Sequence, residues 1–140
     1  PLRTGPTTIP MDILVPVDDS DCSFRALDFG ADMAARYDAA LHVVHFADEE
    51  TDATDAVVER AARVLDAQGV SADPEVSTDF DVDVRSGGRV GSDILALVDD
   101  RGYDHVVMGH HGAGTIERAI LGSAAETVLR SEKVPVTVIP

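Results

Sequence analysis

From Asp12 onward, short apolar runs alternate with stretches whose apolar residues recur at helical spacing. That alternation dictates repeated βαβ units around a parallel sheet. The runs predict strands over residues 12–17, 40–46, 74–84, 104–109 and 134–139. Between them, Phe24, Leu27, Ala31 and Ala34 mark a first helix that starts near Ser20, a good cap. Val57, Ala61, Val64 and Leu65 mark a second that stops at Gly69, a residue type favoured just past helix ends. Ile94, Leu97 and Val98 mark a third, closed by Gly102, and Ala124, Ala125, Val128 and Leu129 line one side of a fourth that begins near Ser123. Residues 13–15 and 106–108 are continuously apolar, as strands covered on both faces are, so these two belong in the middle of the sheet. Residues 79–85 alternate strictly, with Phe80, Val82 and Val84 on one face and Asp79, Asp81 and Asp83 on the other. Pro135 removes a ladder donor from the last strand. Those two strands belong at the edges. With right-handed crossovers the order 3-2-1-4-5 follows, and with it a crevice beyond the carboxyl ends of strands 1 and 4.

At 140 residues the chain has the length of one domain, placed at 11–140. Residues 1–10, with three prolines and three threonines, read as a flexible leader or an added segment, and Met11 as the natural start. Cys22 is the only cysteine, read as a small half-buried residue near a helix start; it precludes an internal disulfide and fits a reducing compartment. No apolar run approaches the roughly 20 residues that span a bilayer, and a cytoplasmic protein is expected. The formal net charge is −15 and Lys133 is the only lysine. Such a field repels nucleic acid and anionic membranes, which excludes both as partners. It also opposes capture of an anionic ligand, unless the protein works in concentrated salt, where at about 1 M the Debye length shrinks to roughly 3 Å. A halophilic origin is the expectation.

The segment that carries chemistry follows the fourth strand: Gly109-His110-His111-Gly112, then nine residues, then Gly122-Ser123 at the head of a helix. Glycines let backbone N–H groups approach a phosphate and converge on it. Gly122 and Ser123 present the N–H groups and the positive dipole end of the last helix. The same spacing also suits a chain that merely turns after a strand and caps a helix. A P-loop is excluded because no lysine follows any glycine, and a dinucleotide fingerprint is excluded because the first strand ends in Pro16-Val17-Asp18-Asp19-Ser20.

From about residue 11 to 139 the sequence resembles the universal stress protein family. Its ATP-binding members show G-x2-G-x9-G-[ST], matched at every position by Gly109, Gly112, Gly122 and Ser123. Residues 13–18 resemble the family's first strand, His45-Phe46 the end of its second and Val134-Pro135-Val136 its last. The resemblance implies a three-layer Rossmann-like fold of the adenine nucleotide alpha hydrolase type, an ATP or related adenine nucleotide as ligand, a homodimer through the last strand, and a regulatory role in the stress response. It further implies that Asp18 lies near the ribose or a phosphate-bound Mg ion, and that the Pro16, Val17 and Phe46 backbones and Met108 line the adenine pocket. Gly112, Gly122 and Ser123 would hold the phosphates, with Gly109, His111 and Ala124 as further nucleotide-binding residues. Phe46 stands where smaller aliphatic residues are common in the family, which implies altered adenine contacts or a narrowed pocket.

The alternatives are a slow ATPase or phosphotransferase, and an interaction module that binds another anion or none. No general base beyond Asp18 and no cradle lysine favours the enzyme. Adjacent His110 and His111 are expected to point apart, which disfavours a shared metal; His42, His45 and His105 read as core or edge histidines. Arg118, Arg85 and Arg89 remain candidates for a phosphate or for plain surface.

Overall fold

Leu14 and Val106 are wholly buried, as a strand covered on both faces requires, and they lie opposite each other in register at the centre of a parallel sheet. The computed structural model describes residues 9–78, 89–112 and 121–140. Its elements run β1 (Asp12–Pro16), α1 (Asp21–Tyr37), β2 (Ala40–Phe46), α2 (Asp52–Gln68), β3 (Glu75–Ser77), α3 (Arg89–Arg101), β4 (His105–Gly109), α4 (Ser123–Arg130) and β5 (Val136–Ile139). The sheet has five parallel strands in the order β3-β2-β1-β4-β5. The expected order and Rossmann-like α/β architecture are therefore those observed.

Alternate residues of each central strand serve opposite layers. Ile13, Val15, Leu41, Val43 and Val107 pack with Phe24, Leu27 and Ala31 of α1 and Val57, Ala61 and Leu65 of α2. Leu14, Val44, Val106 and Met108 pack with Ile94 and Val98 of α3 and Ala125 and Val128 of α4. α1 lies so close to β1 that a Cβ on Gly30 would fall 2.7 Å from Val15 Cγ2. Leu129, assigned by its spacing to the apolar side of α4, is instead 43% exposed, because it lies past the stripe that Ala125 and Val128 turn inward.

Caps set the helix limits. The Ser20 side chain accepts from the Ser23 N–H, and Thr51 and Thr54 form a reciprocal capping box at α2. Gly69 and Gly102 end α2 and α3 with φ of 67° and 72°, which favours glycine. α1 ends in the same left-handed conformation on Asp38, φ 53°, where no glycine signalled it.

Among the described residues β3 covers Glu75–Ser77, paired with Val44–Phe46 at the end of β2; the rest of the expected strand, from residue 79 on, lies outside the described residues. The last strand starts later than expected. β5 begins at Val136, after Pro135, whose carbonyl accepts from the Val106 N–H at 3.0 Å. Among the described residues no helix is long and apolar enough to cross a membrane.

Candidate functional site

The sequence leaves β1 through Pro16 and the buried Val17, whose N–H still donates to the Val44 carbonyl at 2.9 Å. The next residue, Asp18, is held from several sides. Its Oδ1 accepts from the Ser20 N–H at 2.8 Å and from the Ser20 hydroxyl, and its own N–H donates to Ser23 Oγ at 3.1 Å. An Asx turn thus hands the chain directly to the α1 cap. Ser20 was legible in the sequence only as a helix cap, and Ser23 carried no signal of its own. His45 is a second supporting residue, read only as a core or edge histidine: its Nδ1 lies 2.8 Å from the Val17 carbonyl.

Across the strand gap, β4 delivers the glycines. Gly109 pairs with Ile139, and a Cβ there would fall 2.9 Å from Cys22 Sγ, so its missing side chain lets the start of α1 seat against β4. Cys22 is fully buried rather than half-buried, since its thiol donates to the Ile139 carbonyl at 3.3 Å underneath that contact. The His110 N–H donates to the same carbonyl at 2.6 Å. A Cβ on Gly112 would lie 2.7 Å from Asp18 Oδ2, so the carboxylate rests against the Gly112 backbone.

The two ends of the glycine motif meet. The Gly122 N–H donates to the His110 carbonyl at 2.8 Å, and a Cβ on Gly122 would fall 2.9 Å from His111 Cα. Gly122, rather than Ser123, is the N-cap of α4, and it supplies no side-chain cap bond. The first N–H groups of α4, on Ser123 and Ala124, therefore point out of the helix start beside Gly112, at its positive dipole end. Residues 113–120, with Arg118, lie outside the described residues, as do Arg85 and the Arg89 side chain.

Met108 is buried, and Phe46 packs half-buried against the cluster that contains it. Val17 and Asp18 after β1, Phe46 at the end of β2, Met108 to Gly112 at and just beyond the end of β4, and Gly122 to Ala124 at the start of α4 thus share the carboxyl edge of the sheet, at its topological switch point.

The other histidines stand apart from this edge or differ from expectation. His110 and His111 do not point apart: their rings meet edge to face at 5.6 Å, because the chain turns between them, and His111 Nδ1 lies 3.1 Å from the Gly112 carbonyl. His42 bonds Asp12 at 2.9 Å and packs against Tyr103. His105 lies 2.7 Å from the Thr137 hydroxyl, and burial lowers its pKa. Among the described residues no three His, Cys, Asp or Glu side chains group as metal ligands.

The universal stress protein family profile matches residues 11–140. The chain belongs to the universal stress protein family. A universal stress protein of Methanocaldococcus jannaschii is 26% identical over 136 residues, covering 91% of this chain and 80% of that protein. Among solved structures, the universal stress protein from Archaeoglobus fulgidus in complex with dAMP superposes with a TM-score of 0.71 at 23% identity, over 95% of this chain and 100% of that one. A universal stress protein in complex with cAMP gives a TM-score of 0.71 at 24% identity, over 93% and 96% of the two chains. At these identities the structural likeness speaks for the fold, and the universal stress protein fold is the one described above.

Proposed function

We propose that this universal stress protein binds an adenine nucleotide, ATP, ADP or AMP, at the carboxyl edge of β1 and β4, and acts as a regulatory binding protein in the stress response. The observation that carries the reading is the closure of Gly122 on His110 and His111, which brings the bare start of α4 beside Gly112 and opposite Asp18. Backbone N–H groups converging at a helix start suit a phosphate. Gly109, His111, Gly112, Gly122, Ser123 and Ala124 would hold the phosphates, while Pro16, Val17, Phe46 and Met108 would line the base.

Asp18 brings a negative charge next to an anion cradle, and this limits what it does. It accepts a ribose hydroxyl, or it shares a Mg ion with the phosphates, since Mg typically takes one or two carboxylates plus phosphate oxygens. That ion would neutralise phosphate charge. Dimerisation belongs to the same reading: β5 is an edge strand, and pairing with a second copy would satisfy its open side. Solution scattering should then give twice the monomer mass, and a monomer at tens of micromolar would refute it.

The binding claim is tested by purifying the protein in concentrated potassium chloride, extracting small molecules and identifying the nucleotide. Gly122→Val and Asp18→Ala are treated alike, with circular dichroism to verify the fold. Nucleotide in the wild type and its loss in both folded variants is the expected result. Equal nucleotide in all three, or none in any, would overturn the reading.

A further inference from the structure

The residue that touches the site from behind is His45. Successive side chains of β2 alternate between the two layers, so His45 shares the face of Val43, which packs with α1 and α2, whereas Phe46 shares the face of Val44 and packs toward α3 and α4. The ring thus stands on the far side of the sheet from Phe46 and reaches the site only through the backbone. Its Nδ1 lies 2.8 Å from the Val17 carbonyl. A carbonyl only accepts, so Nδ1 carries the hydrogen and donates.

Val17 is anchored at both ends of its residue, through its N–H to Val44 and through its carbonyl to His45. Immediately after that carbonyl comes the Asp18 amide, which donates to Ser23 Oγ, and the Asp18 carboxylate resting on Gly112. A rotation of the 17–18 peptide moves all of these together. We propose that His45 is a positioning residue of the nucleotide site: by fixing the Val17 carbonyl it sets the angle at which Asp18 meets Gly112 and the ligand. The proposal rests on the nucleotide-binding reading and adds the group that tunes its affinity.

Titration calorimetry with AMP and with ATP, in concentrated potassium chloride, tests it on three proteins. His45→Leu removes the donor. His45→Asn keeps one, because the amide nitrogen stands as many bonds from Cα as Nδ1 does. Loss of the bond should weaken binding roughly tenfold in His45→Leu, and His45→Asn should recover most of that loss. Hydrogen exchange at the Asp18 and Ser20 amides should speed up in His45→Leu and not in His45→Asn. Combined with Asp18→Ala, His45→Leu should cost no further affinity, as two links of one chain behave. Wild-type affinity in a folded His45→Leu, or equal weakening in His45→Leu and His45→Asn, overturns the proposal alone. Should His45→Leu not fold, His45→Gln carries its amide one bond further: weakened binding supports the proposal, and wild-type affinity overturns it. A wild type that binds neither nucleotide overturns the functional reading and this proposal with it.

Discussion

Gly122→Ala places one methyl group where the two ends of the cradle touch. The new Cβ would fall 2.9 Å from His111 Cα and 3.3 Å from the His110 carbonyl oxygen. Both are backbone atoms, so no side chain can swing aside, and the start of α4 must retreat from residues 110–112. Overpacking of this kind costs about 1–3 kcal/mol. Alanine is also a poorer N-cap than glycine, by roughly 0.5–1 kcal/mol. Against this, φ of −64° and ψ of 152° suit alanine, and a stiffer unfolded chain returns about 0.4–1 kcal/mol. The net loss is about 1–3 kcal/mol. For a chain of this size each kcal/mol lowers the melting temperature by roughly 3 °C, so calorimetry in concentrated salt should show a fall of about 3–9 °C. Separating Gly112 from the α4 start should also remove at least one charge-assisted bond to phosphate, and weaken nucleotide binding about tenfold or more. A variant that melts with the wild type and binds as well would refute the contact, and with it the account of why Gly122 is glycine.

Gly30→Ala should lower stability by about 1–2 kcal/mol despite the better helix propensity of alanine, because the stiff, fully buried Val15 has no room to move; an equal or higher urea midpoint would contradict the packing. Burial lowers the pKa of His105, so its neutral ring contributes stability above the unfolded value near 6.5 that is lost as pH falls from there through the lower folded value. Between about pH 7.5 and 5 the urea midpoint of the wild type should therefore fall more than that of His105→Gln, and parallel falls would exclude this cause. Transfer from concentrated potassium chloride to salt-free buffer should unfold or loosen the protein, through repulsion within a chain of net charge −15; an unchanged near-ultraviolet circular dichroism spectrum would count against adaptation to salt.

The sequence by itself determined the layers and the sheet. Ile13 to Val15 and Val106 to Met108 are apolar at every position, as strands covered on both faces are, so the central strands and the order around them were legible. The glycine spacing was legible too, because it is local. What each glycine faces was not. Gly109 faces Cys22, Gly112 faces Asp18 and Gly122 faces His111, and these partners meet only because parallel strands bring the carboxyl ends of β1 and β4 side by side. The same holds for His45, whose partner is a backbone carbonyl that carries no side-chain signature. Periodicity reports which face a residue turns to the core. A close approach between distant segments depends on distances of a few tenths of an ångström, and only the packed tertiary structure decides those.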